Sequence, residues 1–423
     1  MDPDAPNPAE FEAPTILDRS RHRISRRDID PDCLKVLYRL SNHGFTAYLV
    51  GGAVRDLMLG RRPADFDVGT NAHPNQIKKL FRNAFLIGRR FRLAHIRFQG
   101  GKIIEVSTFR RKPDEEELAA ERAAERAEEA ARRAAEASQK GSDLLFSEKS
   151  RSDPLLERPE EERMGVDEAA AAPEDTADAS PADTGEAADA AATPAPAKPR
   201  GRPPIKPIAY GTPREDAFRR DLTINALFYD IATFSVIDYV GGLDDLAARR
   251  VRIIGDPDTS YAEDPVRIWR VLRHAARLDF AIEETTADAI PRHRHRLGIC
   301  SGSRLFEELN KDMKSGSVRP FIQLARAHAI LPLILGSVGE IYQASDNAFE
   351  RVAFLLGALD ASIGSGGSPP PAVAYGLLLW PWAEPLLAAA QGDKPKTLYD
   401  AFRGCGATAT VPKTLLLEAV HTL

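Results

Sequence analysis

The stretch that decides the fold reads Leu49-Val50-Gly51-Gly52-Ala53-Val54-Arg55-Asp56, and 13 residues beyond the glycine pair follows Asp65-Phe66-Asp67. Apolar residues run through two glycines into a helical pattern, which predicts a strand turning sharply into a helix. Glycines there let backbone N–H groups approach an anion, the helix start adds positive potential, and Arg55 has the fork geometry that meets a phosphate. A plain tight turn has the same signature when nothing follows it. The two aspartates follow it, and on a strand residues i and i+2 share one sheet face. Two ionised carboxylates on one face repel unless a divalent cation holds them, and such a pair suits Mg²⁺ bridging a triphosphate and an attacking hydroxyl.

Working outward, the flanks alternate between helical and strand patterns. Leu34, Leu37 and Leu40 predict a helix, Thr46 to Val50 a strand, Val54 to Leu59 a helix and Phe66 to Val68 a strand. Ala94 to Gln99 and Ile103 to Phe109 predict two more strands joined at Gly100-Gly101. Glu105 lies inside the apolar run Ile103-Ile104-Glu105-Val106, where a half-buried carboxylate needs a partner, either a cation at the site or a salt bridge. Further on, Asp221 to Phe228 reads as helical and Val236 to Val240 as a strand. From Asp264 onward helical periodicity dominates, with Val266, Trp269, Val271, Leu272 and Ala275 in one run and Phe321, Leu324 and Ala325 in another. A mixed α/β unit followed by an all-helical half is the expected architecture.

Two further motifs carry chemistry. In Arg219-Arg220-Asp221-Leu222-Thr223-Ile224-Asn225-Ala226, the expected helix puts Asp221 and Asn225 on one face to hold a ribose hydroxyl, while the arginines meet phosphate. An N-cap aspartate beside a solvated asparagine is the alternative. In Glu263-Asp264-Pro265-Val266-Arg267-Ile268-Trp269-Arg270, Pro265 suits a first helical position. Asp264, Arg267 and Arg270 then offer fixed donors and acceptors on adjacent turns that can read a base edge, or else form a capped helix with surface pairs.

Composition bounds the rest. The chain has 423 residues, 43% hydrophobic and 28% charged, enough for several buried cores. Its net charge of −5 is unevenly placed: residues 113–206 hold 24 acidic and 13 basic residues, so the remainder is mildly basic. That segment also has 24 alanines and 10 prolines, but only nine residues from Val, Ile, Leu, Met, Phe, Trp and Tyr. It cannot bury enough surface to offset its ordering entropy and is expected to be an insert, with a solvated helix over Glu115 to Gln139 and linker beyond. Cys33, Cys300 and Cys405 are too few and too scattered for a disulfide framework or thiolate zinc site, and a cytoplasmic setting is expected. The start of the chain lacks the apolar core of a signal peptide, and Ala372 to Ala390, interrupted by Pro381, Glu384 and Pro385, is expected to form buried core helices rather than to enter a membrane.

Taken in order, Gly51-Gly52-x-x-Arg55-Asp56, Asp65-x-Asp67, Arg219-Arg220-Asp221-x-x-x-Asn225-Ala226 and Glu263-Asp264-x-x-Arg267 resemble the motifs of the class II tRNA nucleotidyltransferase and bacterial poly(A) polymerase family. The resemblance covers about Ile24 to Leu335 apart from the insert. It implies an α+β fold: a polymerase-β-like nucleotidyltransferase palm followed by an all-α neck, body and tail. On that reading residues 1–23 are a flexible tail, 24–254 the head interrupted at 113–206, 255–315 the neck with base-selecting and RNA-binding parts, and 316–423 the body and tail. Asp65 and Asp67 are then the Mg²⁺ ligands of a two-metal reaction, with Glu105 as a third carboxylate. Triphosphate contacts fall near Gly51, Gly52 and Arg55, ribose selection to Asp221 and Asn225, and base selection to Asp264 and Arg267. Asp56, Arg220 and Arg270 complete the expected nucleotide-binding set, and Asp221 joins the catalytic one.

The resemblance implies template-independent addition of AMP from ATP to RNA 3′ ends, in RNA polyadenylation and mRNA processing. Leu86 to Ile96 and the lead-in Ile24 to Leu40 look like segments that set bacterial poly(A) polymerases apart from CCA-adding enzymes. Arg89, Arg90 and Arg92 would there contact an RNA backbone, unless they form a solvated basic turn. The long insert and the lack of a strongly basic C-terminal extension depart from the pattern, and the latter predicts a weaker RNA grip. CCA or A addition to tRNA, and a non-catalytic RNA-binding relative, are the alternatives.

Overall fold

The computed structural model describes residues 13–88, 93–112, 209–390, 392 and 394–422. Strands β1 (Thr15–Leu17), β2 (Ala47–Val50), β3 (Asp67–Thr70), β4 (Ala84–Ile87), β5 (Leu93–Arg97), β6 (Ile103–Thr108), β7 (Leu227–Asp230) and β8 (Ser235–Asp238) form one sheet in the order β1-β8-β7-β2-β3-β6-β5-β4. Within this sheet only β3 and β6 pair in parallel among the described residues. Alternation along β2 shows how the layers arise: Leu49 points into the main core, whereas Val50 joins a smaller cluster with Phe109, Ala226, Phe228 and Ile237 on the opposite face. The amphipathic helix Pro31–Asn42 covers the first face with Cys33, Val36, Leu37 and Leu40, its start capped by the Asp30 carboxylate. The second face is left for the site.

Three expectations need correction. Residues 13–23 are not a tail, because Thr15, Ile16 and Leu17 pair with Asp238, Ile237 and Val236 to add an edge strand. Asp221 to Phe228 is not a helix: a single turn over Thr223–Asn225 leads directly into β7, which is claimed on both sides by β2 and β8. Asp65 lies just before β3 rather than within it. The expected helix and linker of the insert, and Arg89, Arg90 and Arg92, lie outside the described residues.

Beyond the sheet the chain is helical. Val266–Leu278 is anchored by Trp269, which stacks on Phe321 at 5.5 Å and donates from Nε1 to Asp312 at 2.5 Å. Arg273 on the same helix pairs with both Asp312 and Glu308, so the buried carboxylates are compensated. Residues 250–251 pair in parallel with 281–282, a bond that crosses the expected boundary at 254/255 and ties the sheet-bearing part to the helices. The stretches before and after the insert lie within one compact unit. Pro371–Ala389 is one continuous helix despite Pro381 and Pro385, long and apolar enough to cross a membrane by length and composition, with half of its apolar window buried inside the protein.

Gly242 shows how closely the site's supports are fitted. A Cβ there would lie 2.2 Å from the backbone oxygen of Thr223, in the turn that carries Asn225. Gly242→Ala is therefore expected to destabilise the fold by about 1–3 kcal/mol, read as a lowered midpoint in urea; an unchanged midpoint contradicts this packing.

Candidate functional site

The site starts from one row across the sheet. Register places Phe228, Val50, Asp67, Glu105, His95 and Phe85 side by side on successive strands. The row is apolar at Phe228 and Val50, polar across Asp67, Glu105 and His95, and apolar again at Phe85. Burial, together with the negative charges of Glu105 and Asp65, pushes the Asp67 carboxyl up to about 6, with Arg220 opposing. Glu105 Oε1 lies 3.2 Å from His95 Nε2, so it has the partner that its strand position called for.

In front of Asp67 opens a cavity of about 600 Å³. Gly51, Gly52, Arg55, Asp56, Asp65, Asp67, Arg220, Asp221, Asn225, Asp264, Arg267 and Arg270, separated by up to 219 residues in sequence, all line it. Glu105 does not line it.

Within the cavity several groups do other work than their spacing suggested. Arg55 is buried, and its guanidinium is spent on protein partners. Nε donates to Asp56 at 2.8 Å, Nη2 pairs with the same oxygen at 2.8 Å, and Nη1 donates to Asn225 Oδ1 at 2.5 Å. It is a strut rather than an open phosphate fork, with Asp56 as its counter-charge. Gly51, at φ +75°, can be no other residue without strain, and a Cβ there would stand 3.3 Å from Arg220 Nη1. A Cβ on Gly52 would stand 3.4 Å from Arg55 Nη2. The glycine pair thus brings two guanidinium groups close over the backbone. Arg220 is steered by Asp216 at 2.9 Å and by the Asn225 carbonyl at 3.2 Å.

Asp221 and Asn225 do not act together on a helix face. Asp221 lies 2.9 Å from Arg270 Nε and accepts from the Leu222 N–H, whereas Asn225 turns to Arg55 and His274. Asp264 receives Arg304 at 2.6 Å and the Val266 N–H at 3.2 Å. Arg267 donates to the Ser260 hydroxyl at 2.7 Å. Sequence reasoning missed His274, Arg277 and Lys311, which also line the cavity. The signal for two of them was present, since Arg267, Arg270, His274 and Arg277 recur at helical spacing opposite the apolar stripe. Lys311 had no such signal.

A cavity with paired carboxylates beside a palm-like sheet and arginines in its wall is that of a nucleotidyltransferase. Residues 47–140 and 167–252 match the family described as the poly A polymerase head domain, and residues 279–338 match a probable RNA and SrmB-binding site of polymerase A. The chain belongs to the poly(A) polymerase and tRNA nucleotidyltransferase family. Within it, the chain is 37% identical over 393 residues to Poly(A) polymerase I of Salmonella typhi, covering 92% of this chain and 68% of that one. Poly(A) polymerase I of Escherichia coli O157:H7 is 35% identical over 395 residues, with the same coverage. The CCA-adding enzyme of Bacillus pumilus is 27% identical over 282 residues, covering 66% of this chain and 49% of that one. The fold is shared with a tRNA nucleotidyltransferase solved with a primer tRNA and an incoming ATP analog, at TM-score 0.53 and 18% identity, covering 92% of this chain and 83% of that one.

His274 gives the site a testable pH dependence. Burial, and then the charges of Arg55, Arg270, Arg273 and Arg277, hold its imidazole well below the ordinary range, so it stays neutral in the fold. The unfolded chain binds an extra proton below about pH 6.5, and stability therefore falls as the pH drops through that value. In urea titrations from pH 7 to 5, His274→Asn is expected to lose this component, flattening the decline by up to about 1.4 kcal/mol per pH unit. Parallel declines in the two proteins contradict a neutral buried His274.

Proposed function

We propose that this chain adds AMP from ATP to RNA 3′ ends without a template, releasing pyrophosphate. The observation that carries this reading is the convergence of four sequence motifs on one cavity, in a chain 35–37% identical to Poly(A) polymerase I over 92% of its length. The family match over 279–338 supports RNA as the partner. The neutral edge of adenine has a counterpart in Asp264, Arg267 and Arg270, held by Arg304, Ser260 and Asp221 so that their remaining donors and acceptors keep fixed directions. Arg219, Arg220 and Arg277 supply positive charge for a triphosphate near Gly51 and Gly52.

Among the described residues no group of three His, Cys, Asp or Glu side chains could by itself hold a metal. Mg²⁺ takes hard oxygen donors from one or two carboxylates and completes its shell with water and substrate phosphates. Asp65, exposed, and Asp67, half-buried, are the donors we assign to it. A magnesium ion held there would supply a lower pKa for the attacking 3′-hydroxyl and neutralise charge on the phosphates. The protein's own part is positioning and electrostatics: the arginine wall orients the triphosphate, and Asp67 is kept in place by the β3 ladder. Glu105 stands beside Asp67 and holds His95, and we assign it a supporting role. The free thiols of Cys33, Cys300 and Cys405 support a reducing cytoplasmic setting.

Asp65→Ala is expected to abolish pyrophosphate release from ATP in the presence of RNA while leaving the urea midpoint unchanged, because the side chain is exposed. Retained turnover by the folded variant overturns the metal assignment. Absence of pyrophosphate release from the wild-type chain itself identifies a non-catalytic RNA-binding relative.

A further inference from the structure

The loop from Gly60 to Phe66 serves two concave surfaces. Ala64 and Asp65 line the reaction cavity, whereas Gly60, Arg61, Arg62 and Phe66 line a second groove of about 450 Å³. The split is seen at its end: Asp65 and Asp67 line the cavity, and Phe66, between them, lines the groove.

Four arginines bring their side chains to this groove: Arg23 and Arg27 from the lead-in to the first helix, and Arg61 and Arg62 from the loop. Arg61 is anchored, donating to the carbonyls of Arg277 at 3.2 Å and Leu278 at 3.4 Å. The side chains of Arg23, Arg27 and Arg62 make no hydrogen bond or ion pair among the described residues. Against them stand two carboxylates, and Asp30 is already committed to Lys102 at 2.6 Å and to capping its helix. Asp28 is left alone facing four cations. Gly60 admits this crowding, since a Cβ there would lie 2.3 Å from Arg23 Nη1. Uncompensated guanidinium groups gathered in a groove are matched by phosphates, which the arginine fork meets in bidentate fashion. A basic groove with an aromatic ring in its wall is the combination that holds single-stranded nucleic acid.

We propose that this groove binds the sugar-phosphate backbone of single-stranded RNA upstream of the 3′ end, with Arg23, Arg27 and Arg62 on phosphates and Phe66 stacked on a base. The proposal rests on the function proposed above, since the shared loop leads a strand from the groove to Asp65.

The test uses the full chain and a short labelled oligoadenylate ending in a 3′-deoxynucleotide, so that binding is read without nucleotide transfer. The combined Arg23→Gln, Arg27→Gln, Arg62→Gln variant is expected to bind it about tenfold or more weakly at ~0.1 M salt, and to lose about two units of salt slope, at ~0.7 per phosphate contact. The KM for ATP is expected to stay unchanged. Phe66→Leu is expected to weaken binding about fivefold or more through lost stacking, with the salt slope intact. Unchanged oligonucleotide affinity and slope in the triple variant overturn the proposal. So does a raised KM for ATP with RNA affinity intact, which would make the groove a site for the free nucleotide. A wild-type chain that does not bind the oligonucleotide overturns it as well. Extension of unblocked RNA reads the function separately: its absence from the wild-type chain, with the binding loss observed, counts against adenylyl transfer and for the groove.

Discussion

Arg55 is a guanidinium only 2% exposed, and the arrangement of the site follows from keeping it charged there. Taking a cation out of water costs several kcal/mol unless it is paired and its donors are satisfied. Asp56 pairs with it, Asn225 accepts from it, and His274 lies 3.4 Å away, with its other ring nitrogen against the Asn225 amide. These groups come from the helix after the glycine pair, the turn before β7 and the long helix that leaves the sheet. One buried charge therefore joins segments on both sides of the insert and fixes the Val266–Leu278 helix against the palm. Because that helix cannot shift, Arg267, Arg270 and Arg277 face the aspartates at a set angle.

An acidic chain carries a basic site because its charge is unevenly placed. The negative charge is concentrated in residues 113–206, whereas the cavity sets six arginines and Lys311 against five aspartates. Two of those arginines are aimed by a carboxylate: Arg220 by Asp216 and Arg270 by Asp221. Each pairing sacrifices part of a charge to gain a fixed direction, which electrostatic catalysis needs more than it needs net charge.

Much of this was legible in the sequence, and the reasons for the rest are specific. Apolar periodicity marked Pro31–Asn42 and Val266–Leu278 because each covers a core along one stripe, and residues of all four motifs line one cavity. Arg55 looked like a phosphate fork because its partners Asn225 and His274 lie 170 and 219 residues away, so nothing local announces its burial. Leu227-Phe228-Tyr229 lacks a helical stripe of its own, and its strand conformation is imposed by β2 and β8. β1 is three residues long, too short for alternation to show. Glu105 was recognised as a half-buried carboxylate in need of a partner, but the register that sets His95 beside it is a property of the folded sheet.

On the proposed function, the cavity accepts ATP alone and repeats the addition on an unstructured RNA. The most direct measurement is product length on two purified RNAs, one with a single-stranded 3′ end and one a tRNA lacking its terminal CCA, given Mg²⁺ with ATP alone or with CTP plus ATP. Long heterogeneous tails made from ATP alone on the unstructured RNA are the predicted result. Addition that requires CTP and stops after a defined triplet on the tRNA would contradict the claim and assign the site to CCA addition.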